Sequence, residues 1–437
     1  MSEWGTVKIG EFLFERQGRY KPDDKAVANL PRIEKIDFMG KFFIGKKLSR
    51  TDMIMIKKGD FVISGINVSK GAMGIYRGGE DVTATIHYSS YTCDKSRIDI
   101  DYFEHFLRSA EFTKLLKEQV KGGIKTEIKA KHLLLLEINL PDLDTQKQIA
   151  KKLHKIESKN KKLASQNLLQ KYQLILLRQS ILKDAISGKL TEDWRKANPD
   201  VEPASELLKR INLEKERLIK KEKLLPSIEA NEVTFELPKG WEWCRLGKIT
   251  KLITDGKHGD CNNNPSSGFY FLSAKDVQNG KLIYENARQI TEEDFSEVHK
   301  RTNLEVGDIC MVNTGATIGK IAIAQENELT QRTTFQKSVA VIKLIKLGVL
   351  NNFAELVLLR FTKDLLKTSK GSAINNLLLG DLKKMLFPLP PVAEQRAIVV
   401  KAEKLMGYVS ELEKKSAQHA DNALVLMKAF LAEAFKS

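Results

Sequence analysis

Hydrophobic residues along the chain follow two different periods, and the change between them divides the sequence. Short alternating stretches punctuated by glycine, such as Gly59-Asp60 followed by Phe61–Ser64, predict turns that lead into β-strands. From about Asp144 to Ser187 there is no proline or glycine, and apolar residues recur at heptad spacing. This second pattern predicts an amphipathic helix roughly 60–70 Å long that ends at Gly188.

A second long helix is predicted after Pro391, because apolar residues again lie seven or fourteen positions apart. Helices of this length cannot bury their apolar stripe inside a small domain, so two of them most simply pack on each other. If the chain has a twofold-like repeat, they run antiparallel as a coiled coil. The residues assigned to this helix pair are Ile149, Leu153, Ile156, Leu163, Leu174, Ile398, Leu405, Leu412 and Leu426.

The chain also contains an internal repeat, which is established by spacing rather than by any single motif. Gly59-Asp60 matches Gly307-Asp308, Lys121-Gly122-Gly123 matches Lys370-Gly371-Ser372, and Leu140-Pro141 matches Leu389-Pro390. Val7–Phe12 likewise matches Cys244–Ile249, and Lys70–Ile75 matches Gly315–Ile321. These landmarks keep the same order, so each copy is one globular unit followed by one long helix.

Each globular unit is predicted to mix helices and strands. The apolar patterns predict helices at Tyr102–Glu118 and Phe353–Lys367, a buried strand at His132–Leu136, and a charged helix at Ala204–Leu225 that Pro226 ends. The predicted fold class is α+β, with two mixed α/β domains joined and spaced by the long helices in a pseudo-twofold repeat. The predicted segments are 1–142, 143–188, 189–235, 236–390 and 391–437.

Charge adds a preference for a polyanionic partner. The chain has 437 residues, with Lys+Arg 72 against Asp+Glu 56 and a formal net charge of +16. Nucleic acid is the common partner for such an excess, although a general solubility charge explains it equally well. The N-terminal sequence has no signal-peptide pattern and four scattered cysteines give no disulfide framework, so we expect a cytoplasmic protein.

Motifs for catalysis are absent from the sequence. There is no Asn-Pro-Pro-Tyr/Phe motif for methyl transfer, and Thr314–Ile321 fails the phosphate-loop spacing. Glu127-Ile128-Lys129 has no convincing acidic partner for a nuclease site, and His258-x-x-Cys261 has no second ligand pair for a metal. We therefore expect a binding protein without catalytic residues, bound metal or cofactor.

Four segments carry a further signal: LPKGWEWCRLGKI, GDICMVNTGATIGKIAI, LPPVAEQRAIVVKAEKL and AISGKLTEDWR. Together they resemble the DNA-specificity subunits of Type I restriction-modification systems, and the resemblance extends over nearly the whole chain. Residues 237–249, 307–323 and 389–405 resemble the opening, middle and helix junction of a target-recognition domain. Residues 185–195, with the charged segment that begins at Ala204, resemble the central conserved region of that family.

The resemblance implies that each globular unit is a target-recognition domain that reads one half of a split, asymmetric DNA target. It implies that the long helices set the length of the unread spacer and dock two methyltransferase subunits that methylate adenine with S-adenosylmethionine. Restriction/translocase subunits, with ATP and Mg²⁺, would supply translocation and cleavage. Two alternative hypotheses about the function remain: the chain is a structural coiled-coil protein that binds no DNA, or it is an enzyme in its own right.

Candidate reading positions lie in polar and glycine-containing loops, where Asn, Gln, Lys and Arg can pair with base edges. Each such loop is otherwise an ordinary surface turn, and most contacts at protein–DNA interfaces only position the duplex. The candidates are Arg16, Gln17, Arg19, Tyr20, Asn67, Lys121, Lys125, Thr126, Thr254, Lys257, His258, Asn262, Asn263, Lys275, Asn313, Thr314, Lys370 and Ser372.

Overall fold

The computed structural model describes residues 4–45, 50–65, 71–119, 130–219, 224–368 and 376–435. The chain divides into two compact units, which are described separately. Unit 1 comprises Met1–Leu169 and Ser416–Ser437, and unit 2 comprises Gln170–Lys415. The finer domain boundaries expected from the sequence stay predictions. Within these ranges no helix has a stretch long and apolar enough to cross a membrane.

Unit 1 is built on two four-stranded sheets, ordered β2-β9-β6-β7 and β4-β3-β8-β5, and on an antiparallel pair of β1 with β10. The alternation Glu-Ile-Asn-Leu in the last strand buries its two apolar side chains, as period-2 patterning requires. The strands are β1 (Gly5–Lys8), β2 (Leu13–Glu15), β3 (Arg32–Ile36), β4 (Phe42–Gly45), β5 (Met53–Ile56), β6 (Phe61–Ser64), β7 (Met73–Ile75), β8 (Val82–Thr85), β9 (Tyr88–Cys93) and β10 (Glu137–Leu140).

The helices of unit 1 correct two sequence predictions. The helix expected at Tyr102–Glu118 is two helices, because Ser109 caps the second one by accepting the N–H of Phe112. The strand expected at His132–Leu136 is a helical turn, and the strand takes the alternating residues that follow. The helices are α1 (Ile100–Leu107), α2 (Ala110–Gln119), α3 (Ala130–Leu133) and the start of α4 (Leu143–Ile186).

Unit 2 repeats part of this plan around a four-stranded antiparallel sheet ordered β12-β19-β16-β17. The pair β11–β20 is antiparallel, as is β14–β15, whereas β13 and β18 run parallel. The strands are β11 (Glu242–Arg245), β12 (Thr250–Asp255), β13 (Tyr270–Leu272), β14 (Val277–Gln278), β15 (Lys281–Leu282), β16 (Ile309–Val312), β17 (Ile321–Ile323), β18 (Thr333–Phe335), β19 (Val339–Leu344) and β20 (Leu386–Leu389).

The helices of unit 2 include the charged helix of the central segment, which is shorter than predicted. It ends at Leu218 rather than Leu225, because Ile219 adopts an extended backbone well before Pro226. The helices are α5 (Glu192–Ala197), α6 (Ala204–Leu218), α7 (Leu246–Ile249), α8 (Glu292–Thr302), α9 (Asn351–Thr368), α10 (Leu379–Lys384) and α11 (Val392–Ala434).

The Gly-Asp landmarks of the repeat form the same turn in both units. Gly59 and Gly307 have φ of +92° and +91°, a conformation in which a Cβ is strained. The following aspartate closes each turn: the N–H of Lys57 donates to Asp60 at 2.8 Å, and that of Glu305 to Asp308 at 2.7 Å. The repeat therefore preserves a turn that leads into β6 in one unit and β16 in the other.

A buried glutamine joins each long helix to its globular unit in the same way. Gln146 accepts the N–H of Asp99 at 2.8 Å and donates to the carbonyl of Pro141 at 2.8 Å. Gln395 accepts the N–H of Leu350 at 2.9 Å and donates to the carbonyl of Pro390 at 3.0 Å. Both side chains are fully buried. These bonds hold the first turns of α1 and α9 and confirm the predicted duplication.

The two long helices pack against each other and run antiparallel in unit 2. Arg178 of α4 donates to Glu413 of α11 at 2.8 and 3.0 Å, whereas Ile186, at the end of α4, shares a core cluster with Ile398 near the start of α11. Later positions on α4 therefore lie beside earlier positions on α11, as in an antiparallel pair. This geometry confirms the predicted α+β class with long antiparallel helices. Their buried seam in this unit consists of Leu174, Ile181, Ala402 and Val409.

Candidate nucleic-acid interface

The longest predicted reading loop follows β12, and its first residues contact β18. A Cβ on Gly256 would overlap the carbonyl oxygen of Phe335, so only glycine fits this close approach. The N–H of Lys257 then donates to the same carbonyl at 2.9 Å, and the carbonyl of Lys257 accepts from Lys337 at 3.1 Å. The start of the loop is therefore held by backbone hydrogen bonds.

Helix α8 binds the middle of this loop through Asp294. The ammonium group of Lys257 lies 3.1 Å from Asp294 and 3.0 Å from Glu297, and Asn262 donates its backbone and side-chain N–H to Asp294. These hydrogen bonds, with Glu297 first, raise the pKa of Lys257. The Asn262 backbone N–H and then Lys257 lower the pKa of Asp294. Two predicted readers thus meet at one carboxylate.

The end of α8 binds the beginning of the loop through Arg301. Its guanidinium donates to Thr254 Oγ1 at 3.2 Å and to Asp255 Oδ1 at 2.5 Å. The other oxygen of Asp255 lies 3.0 Å from Nε2 of His258, whose ring is largely exposed. Thr254 is buried, so its hydroxyl positions the loop, while His258 presents an edge to solvent.

Arg288 organises the far side of the loop. Its guanidinium donates to Asp260, to the carbonyl of Cys261 and to Asn263, and lies 5.6 Å from the ring centroid of Phe271. Bonding to Arg288 lowers the pKa of Asp260. The predicted reader Asn263 is therefore fixed in orientation by a residue that the sequence reasoning did not select.

The other predicted readers of unit 2 occupy two different environments. The Lys275 side chain is 68% exposed beside the turn that Ser273 and Asp276 close. Asn313 is buried and hydrogen-bonded to Leu377, and its Oδ1 has no partner among the described residues. The Thr314 hydroxyl donates to the side chain of Asn376 at 2.9 Å. Lys370 and Ser372 lie outside the described residues.

In unit 1 the predicted readers separate into one structural residue and several surface residues. Arg16 forms a two-point pair with buried Asp60, which also raises the pKa of Arg16. Gln17 and Arg19 are exposed, and Tyr20 is half-buried and pairs its backbone with Met53. Asn67, Lys121, Lys125 and Thr126 lie outside the described residues.

The residues predicted for the helix pair do not share one environment. Leu174 is buried in the helix seam and Leu405 packs against it, whereas Ile398 lies in the globular core of unit 2. Leu153 and Ile149 pack into the globular core of unit 1, and Ile156 is half-buried. The exposed members of the set are Leu163, Leu412 and Leu426.

The sequence reasoning missed the residues that hold the loop: Asp294, Arg301 and Arg288. One local signal was available, since Thr291-Glu-Glu-Asp before the spaced apolar residues Phe295 and Val298 is a helix-capping pattern. Thr291 does accept the N–H of Asp294 at 3.4 Å. Nothing local, however, indicates that this helix faces residues 254–264. Within the described part of the loop, no group of three residues has the spacing of a metal site.

Comparison with known families identifies this architecture. The family model described as "Type I restriction modification DNA specificity domain" matches residues 1–171 and 238–420, which include both copies of the repeat. The chain belongs to this family. The chain is similar to two specificity subunits of Type I restriction enzymes from Escherichia coli. It is 32% identical to the EcoAI subunit over 266 residues and 31% identical to the EcoEI subunit over 253 residues.

These matches cover 57% and 55% of this chain but only 43% and 41% of the two relatives, so the chain matches less than half the length of each. A chain from a solved type I R-M system has a TM-score of 0.66 at 17% identity, covering 100% of this chain and 98% of that one. The HsdS subunit from Thermoanaerobacter tengcongensis has a TM-score of 0.58 at 16% identity, with coverage of 100% and 97%. These structures confirm the Type I specificity fold.

Proposed function

We propose that the chain is the DNA-recognition subunit of a Type I restriction-modification complex and carries no catalytic residues of its own. The observation that supports this most is that the family match includes both copies of the repeat. Both copies share the same glutamine and Gly-Asp contacts, whereas their polar loops differ in sequence. One scaffold kept twice with different loops suits the reading of a bipartite, asymmetric DNA target.

Affinity and sequence choice would come from different groups. The net charge of +16 favours the phosphate backbone, and this contribution should fall steeply with salt. Lys257, Arg288 and Arg301 are already paired with carboxylates, so we propose that they shape the loop. The exposed side chains of His258 and Lys275 are then the best candidates to touch bases in unit 2.

Partner subunits would supply the chemistry. We propose that two methyltransferase subunits carrying S-adenosylmethionine methylate adenine, and that restriction/translocase subunits use ATP and Mg²⁺ to cleave. The EcoAI and EcoEI relatives are themselves named as specificity subunits of restriction enzymes. The role of the long helices in setting the unread spacer also stays a proposal.

Mapping methylated adenines tests the reading function. In cells carrying the chain with its methyltransferase, we expect one bipartite motif. Replacing His258 and Lys275 by alanine should lower methylation about 5- to 150-fold, or relax the sequence, in one half of the motif only. Replacing Gln17 and Arg19 should affect the other half. Lys209→Ala is the matched control, because this lysine on α6 is as exposed as Lys275, at 69%.

The outcome distinguishes the proposal from a coiled-coil scaffold without DNA recognition. A scaffold would yield no methylated motif and no sequence-selective binding by the assembled complex. A motif in which both pairs of substitutions alter both halves equally would contradict the assignment of one half to each unit.

The exposed leucines of the long helices are proposed to dock the methyltransferase subunits. Leu412 is 43% exposed on α11, so Leu412→Asp should leave the chain folded but weaken assembly, measured by size-exclusion chromatography with the partner. Leu213→Asp on α6 is the control, because Leu213 is exposed on a different helix. Equal assembly by both variants would remove this surface from the proposal.

A further inference from the structure

A cluster of two histidines and a glutamate lies where α1 meets α4 in unit 1. One ligand atom from each of His105, His154 and Glu157 falls within 4.8 Å of the others. Nδ1 of His105 lies 3.4 Å from a carboxylate oxygen of Glu157, and the two imidazole centroids are 5.0 Å apart. On its other side, Nε2 of His154 lies 3.6 Å from a carboxylate oxygen of Asp101.

The cluster is fixed on one side and open on the other. His105 is 3% exposed, and its Nε2 is buried with no hydrogen-bond partner among the described residues. The side chain of His154 is 54% exposed and that of Glu157 is 27% exposed. A small ion from solvent can therefore reach the cluster, while the buried imidazole is held in place by the core.

The repeat shows that the fold does not require this polar cluster. The paired glutamines align α1 with α9 and α4 with α11. In that alignment His105, His154 and Glu157 correspond to Leu356, Glu403 and Met406, and Leu356 and Met406 pack on the apolar seam of unit 2. Burying a histidine with an unpartnered nitrogen costs free energy that the leucine in the other copy avoids. The nitrogen that faces Glu157 is Nδ1, so a metal there would leave Nε2 unpartnered, but its bond to Nδ1 would offset part of the cost of burying the ring.

We propose that His105, His154 and Glu157 form a binding site for Zn²⁺ that ties the globular part of unit 1 to its long helix. Residues 154 and 157 lie three positions apart and so face the same side of α4. Two imidazoles and a carboxylate are a donor set that suits Zn²⁺, whereas Mg²⁺ and Ca²⁺ prefer oxygen donors. With bonds of about 2.0–2.2 Å, tetrahedral zinc places its ligand atoms roughly 3.3–3.5 Å apart, as His105 and Glu157 already are.

The surrounding charges permit a divalent cation. Arg77 pairs with Asp101 and Glu104, and Arg108 also pairs with Glu104. Arg108 places a positive charge near His105, but the carboxylate of Glu157, 3.4 Å from Nδ1, is the charge that acts most strongly on this histidine. The three ligand atoms lie within 4.8 Å of one another, so the exposed ring of His154 would have to move toward His105 and Glu157 to bond the same ion. A water molecule would complete the tetrahedron, because Asp101 is paired with Arg77.

Zinc binding by the purified full-length chain tests the proposal. After dialysis against Zn²⁺ and then against buffer, metal analysis should find one zinc per chain, and Co²⁺ in its place should give the visible absorption of a tetrahedral site. His105→Leu with Glu157→Met copies the apolar arrangement of unit 2, so this variant should fold without metal and lose at least about 100-fold in zinc affinity. His419→Ala, an exposed histidine on α11, should bind like the parent.

The melting temperature gives a second readout. Zn²⁺ should raise it in the parent and in His419→Ala, but not in the double variant. A parent chain that retains no zinc would overturn the proposal, as would a folded double variant that retains one zinc per chain. Equal loss of zinc in His419→Ala would place the metal elsewhere.

Discussion

Glu394 offers the sharpest test of how unit 2 is held together. Its carboxylate is 1% exposed and accepts hydrogen bonds from the indole N–H of Trp241 at 2.8 Å, the hydroxyl of Thr191 at 2.7 Å, and Arg195. These partners come from the central segment and from the start of the second globular part. One buried carboxylate at the base of α11 therefore joins three parts of the unit.

Removing this carboxylate should be costly, because Arg195 would keep its charge without a partner. Breaking one side of a buried ion pair costs about 3–5 kcal/mol, so we expect Glu394→Ala to lower the free energy of unfolding of unit 2 by that amount. Glu394→Gln keeps the shape and one acceptor and should cost about 2 kcal/mol. Differential scanning calorimetry should show the melting temperature falling by roughly 10 °C for the alanine variant.

A double-mutant cycle separates the ion pair from general packing. Arg195→Met keeps much of the aliphatic stem, and combined with Glu394→Gln it removes both charges. The double variant should be at least about 1 kcal/mol more stable than the sum of the single effects predicts. If the effects add within about 0.5 kcal/mol, or if Glu394→Ala costs less than about 1 kcal/mol, the reasoning from the buried pair is refuted.

Three further predictions concern stability. Burial, and then the charge of Glu403, raise the pKa of Glu355 from 4.5 to about 7. Because this carboxyl ionises at lower pH in the unfolded chain than in the folded one, the free energy of unfolding should fall by on the order of 3 kcal/mol as the pH rises from about 5 to 8. Urea titrations of Glu355→Gln should lack this fall. Phe435 is 3% exposed in the core of unit 1, so Phe435→Ala should cost about 3–5 kcal/mol by urea unfolding, whereas Phe430→Ala, at 47% exposure, should cost under about 1 kcal/mol. Gln146→Leu should cost about 2 kcal/mol and increase hydrogen exchange at the first turn of α1, and unchanged exchange there would contradict the role given to this glutamine.

Local patterns in the sequence were enough to predict the duplicated plan. The absence of proline and glycine together with the heptad spacing predicted α4, and the structure confirms it at Leu143–Ile186. The Gly-Asp pairs predicted turns, and the positive φ of Gly59 and Gly307 confirms them. The long helix and the Gly-Asp turns depend on residues that are neighbours in the sequence and on backbone sterics. The sequence therefore contains all the information needed to predict them.

The misplaced elements show where local information ends. The apolar run His132–Leu136 satisfies a strand and a buried helical turn equally well, and the chain uses the turn because the next four residues alternate and pair with β1. The charged helix α6 stops at Leu218 although its helix-forming residues continue toward Leu225. For the strand, the tertiary partner rather than intrinsic propensity decides the boundary, whereas the end of α6 is marked by the extended backbone of Ile219.

The candidate interface divides in the same way. Composition alone selected the polar loops, and it marked Lys257 and Asn262 as potential readers of DNA. Only the tertiary structure shows that Asp294, more than thirty residues away, binds both of them, and that Arg16 is committed to Asp60. The sequence determines which side chains carry charge. Folding decides which of these side chains remain available to a partner. Hydrogen bonds and close ion pairs need donor and acceptor atoms about 3 Å apart, and only the folded chain brings residues distant in sequence that close together.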